Sequence, residues 1–272
     1  MSAYNSDKDK PPPAAPVITA SVPLTPVPPS NAPTVSLGKP STQDKIDIRL
    51  NPIQYYVKAS FMITYILLLT TATITFIEAM RTQVPTIRHI LNLETCISIV
   101  AGYFYSIFLT QIEGYGKDDK PVDWADITKT RYIDWTITTP MMLLTLCIVL
   151  GNNINKKINL STLGIVLGLN YVMLIIGYLG ETKVLSSLLA SALGFVPFAG
   201  MFYLIFTKLV QPKYVFSNYC LYFFYLIVWG LYGVVYLLPE TYKNITMNIL
   251  DCTAKCFIGL GLWAYYSHTI TL

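Results

Sequence analysis

The chain has 272 residues, 53% of them hydrophobic and only 12% charged, with a formal net charge of +4. Soluble domains carry about 25% charged residues, so half that density excludes an ordinary water-soluble fold and points to a membrane. No basic patch or nucleic-acid motif is present, which sets DNA and RNA aside as partners.

Residues 1–47 are a different material from the rest. Ten of the 17 prolines lie between Pro11 and Pro40, among Ser, Thr, Ala and Val. Such a segment has too little apolar surface to build a core, and reads as a disordered, proline-rich extracellular tail. Its PxxP spacings (Pro23 to Pro26, Pro26 to Pro29) follow from proline density alone. No basic stretch followed by an apolar core opens the chain, so no cleavable signal peptide is expected.

Residues 48–272 form the second expected domain, a seven-helix ligand-binding bundle. Hydrophobic runs of about 20 residues predict helices over 53–79, 87–110, 130–150, 158–179, 184–208, 217–238 and 244–267, each able to cross a hydrocarbon layer of about 30 Å. The fold class is an all-α, multi-pass membrane protein, in a plasma membrane or a host cell membrane. The breaks after helices 1, 3 and 5 carry Arg81, Arg88, Lys156, Lys157, Lys208 and Lys213 with no acid between the spans. Those after helices 2, 4 and 6 carry Glu113, Asp118, Asp119, Asp123, Asp126, Glu181 and Glu240. Basic residues stay on the cytoplasmic side, which predicts an outside N-terminus and a cytoplasmic C-terminus. The five cysteines (Cys96, Cys147, Cys220, Cys252, Cys256) fall in apolar stretches and read as small buried hydrophobes, with no disulfide framework and no metal-ligand spacing.

Lys255 needs a separate explanation. A lysine near a span end snorkels to the interface, but the nearest ends, Lys243 and His268, are 12 and 13 residues away. That is roughly 18 Å of helix, about three times the reach of the side chain. Lys255 is therefore held at mid-bilayer, where an ionisable group signals function. Asp251 lies one turn before it, and Arg131 and Asp134 share a face of the third helix with Thr138 one turn on. Two cations and two carboxylates sum to zero, which is how an apolar interior tolerates charge. Around them Trp135, Trp229, Tyr232, Tyr236 and Tyr105 make the lining expected for a long, flat, apolar ligand.

The run RYIDWTITTP (Arg131 to Pro140) resembles the third-helix signature of microbial rhodopsins, and DCTAK (Asp251 to Lys255) resembles their seventh-helix retinal motif. The resemblance covers residues 53–270. It implies that Lys255 forms a Schiff base with all-trans retinal, that Asp134 and Asp251 are its counterions, and that Asp134 is the primary proton acceptor with Arg131 toward the outside. It further implies that Thr138 hydrogen-bonds Asp134 and Thr139 braces the third helix. Trp135, Trp229 and Tyr232 would clamp the polyene, Tyr105 would join the counterion network, and Met142 takes the colour-tuning position.

Three departures from the family pattern stand out. Gly233 replaces a sixth-helix proline, and Tyr236 stands where a tryptophan is common. Thr145 occupies the position where outward proton pumps carry an acid. Glu94 is the one acid placed deep on that side, as a proton source or as an interface-facing residue. Glu78 and Arg81, with Trp263, resemble a grouping in the viral branch of the family, which implies a homo-oligomer, trimer or pentamer.

The expected activity is a light-driven outward proton pump in the lipid bilayer, moving protons or other cations. A light-gated cation channel and a slow photosensor are the alternatives. No metal site, no nucleophilic triad and no phosphate-binding loop occurs, so no enzyme is expected. No D-R-Y or N-P-x-x-Y motif supports a G-protein-coupled receptor.

Overall fold

The computed structural model describes residues 52–117, 122–267 and 269. The tail over 1–47, together with Asp118, Asp119 and His268, lies outside the described residues. Seven helices are long and apolar enough to cross a membrane. They are α1 (Pro52–Arg81), α2 (Pro85–Lys117), α3 (Trp124–Asn153), α4 (Leu160–Glu181), α5 (Ser187–Val210), α6 (Phe216–Val235) and α7 (Glu240–Tyr266). Each packs on the next, α7 returns to α1, and α3 also reaches α6.

Three helices begin or end well beyond their apolar runs, and polar contacts account for the best-defined extension. Helix α3 was expected from 130 and starts at Trp124, because the Asp123 carboxylate accepts from the backbone N–H groups of Ala125 and Asp126. An aspartate at that position satisfies two of the four unpaired donors of a first turn and opposes the helix dipole. The polar turn that follows is tied to α2, whose Gln111 side-chain amide donates to Asp126 at 2.9 Å and to Thr130 at 3.1 Å. Helix α2 also runs on to Lys117, and α7 starts at Glu240, four residues before its apolar run.

Pro140 sits inside α3 and cannot donate to the carbonyl of Thr136. The Tyr171 hydroxyl of α4 takes that acceptor at 3.3 Å. Helix α7 contains a π-helical turn over Cys252–Phe257, which includes Lys255. Such turns, with one extra residue per turn, recur at functional sites.

Apolar side chains fill the bundle on both sides of this turn. One cluster joins Trp135, Met142, Phe202, Trp229 and Leu250 between α3, α5, α6 and α7. A second joins Phe61, Tyr105, Phe108 and Cys256 between α1, α2 and α7. Outward-facing Ile63, Phe76, Ile175, Val196 and Ile227 are exposed, as a lipid-facing surface requires. The cysteine reading is corrected on two residues: Cys96 and Cys220 belong to this outer surface, while Cys147, Cys252 and Cys256 are buried.

Candidate functional site: a buried lysine between two carboxylates

Four ionised side chains meet where α3 faces α7, and all are at most 1% exposed. Lys255 Nζ donates to Asp134 Oδ2 at 2.7 Å and stands 3.7 Å from Asp251 Oδ1. Arg131 Nη1 lies 3.2 Å from Asp251 Oδ2. The zero-sum charge set expected from the sequence is therefore assembled in one place. Its two carboxylates are treated very differently.

Asp251 is pinned from all sides. Tyr105 and Tyr232 each donate to it at 2.7 Å, and the Trp135 indole N–H does so at 3.4 Å, in addition to Arg131. Asp134 has Lys255 on one oxygen, while its Oδ1 has no hydrogen-bond partner among the described residues. Charge-assisted bonds are about twice as strong as neutral ones, so Asp251 is a fixed anion and Asp134 a lightly held one.

Arg131 is held by groups that reading the third and seventh motifs alone does not reveal. Its Nη2 donates to Asn248 Oδ1 at 2.9 Å and Asn244 Oδ1 at 3.3 Å, and its guanidinium lies over the rings of Phe61 and Phe108. Asn248 passes the connection to Ser60 of α1 at 2.9 Å. A signal for both asparagines was present. Positions 244, 248, 251 and 255 fall at i, i+4, i+7 and i+11, one polar stripe along an apolar helix.

An apolar cavity opens from Lys255 between helices α3 to α7. Trp135, Met142, Phe198, Trp229, Tyr232 and Tyr236 are among the side chains that line it. Thr139 lines it as well, and receives a hydrogen bond from the buried Asn170 of α4 at 2.9 Å. Tyr132 and Phe195, not singled out in the sequence, complete the aromatic wall. One expectation is corrected. Tyr105 does not line this cavity; it stands on the α1–α2 side of Asp251, bonded to the carboxylate and so within the counterion network. Thr138 hydrogen-bonds Asp134 at its backbone carbonyl, at 2.9 Å, as hydroxyls in helices do when the turn before them is in reach.

At the opposite end of the bundle, Glu94 is 1% exposed, which removes the interface-facing reading. Glu78 and Arg81 pair at 3.8 Å with Arg81 exposed. Near the start of α7 Lys243 is buried, with Nζ 3.0 Å from Glu181 and 2.8 Å from Glu240 and 5.9 Å from the Tyr236 ring centre.

A seven-helix membrane protein with a buried amine, neutralised by two carboxylates and facing an aromatic cavity, is the class this architecture defines. The sequence profile of the family described as bacteriorhodopsin-like protein matches residues 56–269, and the chain belongs to that family. Among solved structures, the viral rhodopsin OLPVRII is 43% identical, with a TM-score of 0.73 over 79% of this chain and 99% of that one. Exiguobacterium sibiricum rhodopsin is 20% identical, with a TM-score of 0.65 over 79% of this chain and 96% of its own. Xanthorhodopsin, described as a light-driven ion pump with dual chromophore, is 18% identical, with a TM-score of 0.65 over 80% and 95%. These last two show the shared fold alone. No curated protein sequence matches. Members of the rhodopsin family bind a retinal chromophore, and the residues here fit one. A single primary amine lines a cavity whose walls are mostly rings, methionines and other apolar side chains, with the Asp251 carboxylate beside the amine.

Proposed function

We infer that the protein is a light-driven ion transporter that carries all-trans retinal on Lys255 and moves protons outward. The observation that carries this reading is the 2.7 Å contact between Lys255 Nζ and Asp134 Oδ2, fully buried where Lys255 meets the aromatic cavity. Retinal bound there supplies light absorption and an isomerisation that turns the Lys255 nitrogen relative to its two carboxylates.

The chain's own groups then set the direction. Asp134 takes the proton from Lys255, because one oxygen is already within hydrogen-bond distance and the other has no partner among the described residues. Asp251 is held as an anion by four donors and keeps Arg131 in place on the side of the α3 N-terminus. With the basic loops cytoplasmic, that side is the outside. Trp135, Tyr232, Trp229 and Met142 keep water out of the cavity and fix the plane of a flat ligand.

The test is expression with all-trans retinal, then illumination of a lightly buffered cell suspension. Acidification that a protonophore abolishes is the expected result. A light-gated current that reverses sign with voltage assigns a channel instead, and light-induced absorbance changes without acidification or current assign a sensor. A protein that stays colourless with retinal overturns the chromophore assignment itself.

A further inference from the structure

Another cavity opens between α3, α4 and α5, at the end of the bundle away from Arg131 and sharing no residue with the aromatic one. It holds about 220 Å³, far beyond the roughly 10–15 Å³ that one ordered water needs. Its floor is apolar, with Val166, Ile205 and Leu209 at most 4% exposed. Its rim is basic, formed by the exposed Lys156, Lys157 and Lys208. The turn after α3 is built to hold that rim. Asn155 takes the left-handed conformation at φ 55°, and the N–H groups of Asn155 and Lys156 donate back to the carbonyls of Asn152 at 3.0 Å and Gly151 at 2.9 Å. This is the helix ending that glycine usually supplies, here built on asparagine. A Cβ on Gly151 would stand 2.9 Å from the Lys156 carbonyl oxygen, so the glycine admits the returning chain. The Lys156 ammonium then crosses to α5 and donates to the Lys208 carbonyl at 2.8 Å, in the π-helical turn Phe206–Val210.

Three cations are thereby gathered with no anion to answer them. None of the ion pairs among the described residues includes them. No acid occurs between Asp134 and Glu181, or between Glu181 and Glu240. Lysines on a solvated loop need no partner, and most charge runs are no more than that. These three differ in standing over an apolar slot between two membrane-spanning helices. Along its walls Leu163 and Val166 of α4 face Ile205 and Leu209 of α5, each pair one turn apart on its own helix. A soluble anion would meet only the rim, and an apolar ligand only the floor. An amphiphile with an anionic head satisfies both, and basic pockets between spanning helices are the recognised form of such sites. Leu160 and Tyr203, close by in sequence, are 81% and 67% exposed, as on a surface that lipid covers.

We propose that this slot binds one anionic phospholipid of the adjoining leaflet, its phosphate on Lys157, Lys208 and Lys156 and its acyl chains entering the seam between α4 and α5. Lys156 has donors to spare, since an ammonium carries three and the Lys208 carbonyl takes one. The bound phosphate turns the mutual repulsion of three ammonium groups into attraction and ties the α3–α4 turn to the end of α5. The site involves neither Lys255 nor its carboxylates, so it stands apart from the chromophore reading.

The experiment titrates the full-length protein, in a neutral detergent, with phosphatidylglycerol and counts bound lipid by native mass spectrometry. One lipid per chain is retained at concentrations where phosphatidylcholine is not. Lys157→Gln with Lys208→Gln keeps the Lys156 bond to the backbone at 208 and weakens retention about tenfold. Arg88→Gln with Lys213→Gln removes two cations from the same end of the bundle but outside the slot, and leaves retention unchanged. Equal losses in the two double variants reduce the effect to diffuse attraction and overturn the site, as does equal retention of phosphatidylcholine. Acetylation of lysines in the wild-type protein supplies the second arm if the slot variant does not fold. Phosphatidylglycerol shields Lys157 and Lys208 but not Lys213, and inorganic phosphate shields none of them. Absence of shielding by phosphatidylglycerol overturns the site, and equal shielding by inorganic phosphate assigns a soluble anion and overturns the lipid.

Discussion

Phe195 occupies the space that any side chain on Gly233 would need: a β-carbon there would stand 2.5 Å from the Phe195 ring. The ring and the glycine both line the cavity, and the Ser191 hydroxyl donates to the Gly233 carbonyl at 3.0 Å. The glycine that replaces the family's proline is therefore a packing requirement at the α5–α6 seam. Gly233→Ala lowers stability by about 1–3 kcal/mol through overpacking, read as a lower thermal bleaching temperature. Phe195→Leu in the same chain recovers most of the loss. A Gly233→Ala variant as stable as the parent contradicts this packing.

The unequal holding of the two carboxylates makes their neutral variants diverge. Asp251→Asn leaves Arg131 without its anion and weakens the bonds from Tyr105, Tyr232 and Trp135, a loss of about 3 kcal/mol or more. Asp134→Asn removes a single hydrogen-bonded partner, and Lys255 retains Asp251 at 3.7 Å. It is the more stable of the two variants, yet transports no ions. Thermal melting of both, beside the acidification assay, checks the order.

The seven spans were legible because the bilayer imposes length and apolarity on every helix that crosses it. Their ends were less so. The first turn of α3 is polar, and what keeps it helical is the Asp123 cap and the Gln111 side chain of another helix. The centre of the site was legible in Asp134, Asp251 and Lys255, whose spacing fixes which faces they share. Tyr105 was expected in both the cavity lining and the counterion network and is found only in the second, since periodicity says which side chains point inward but not which neighbour they meet. Asn244 fits a glycosylation pattern as text, whereas in the fold its side chain is 1% exposed and bonded to Arg131. Lys156, Lys157 and Lys208 acquire a shared slot only when α3, α4 and α5 are brought together.

Lys243 illustrates the same gap at the start of α7. Its ammonium is buried between Glu181 of α4 and Glu240, and so locks α7 to α4 beside Tyr236. Lys243→Met leaves the Glu181 carboxylate, 11% exposed, without its cation. Removing one partner of such a pair costs about 3 kcal/mol, whereas replacing both is close to neutral. The double variant Lys243→Met with Glu181→Gln is thus more stable than the single one. A melting temperature for the double variant at or below that of Lys243→Met contradicts the pairing.

Asn248 connects three helices through one amide. Its oxygen accepts from Arg131 of α3 at 2.9 Å, with the Tyr105 hydroxyl of α2 at 3.0 Å, and its nitrogen donates to Ser60 of α1 at 2.9 Å. Asn248→Leu conserves most of the volume but takes one hydrogen-bond partner each from Arg131 Nη2 and Ser60. Each lost bond costs about 0.5–1.5 kcal/mol, more at the charged guanidinium. Arg131 then has only the weaker 3.3 Å bond to Asn244 to hold that end of its guanidinium. Because Arg131 Nη1 in turn positions Asp251 beside Lys255, the substitution also changes the field at the amine, with no contact to the cavity. A lower melting temperature together with a shifted absorption maximum is the expected pair of results. A stable Asn248→Leu protein with parental colour shows that Arg131 is held without this amide.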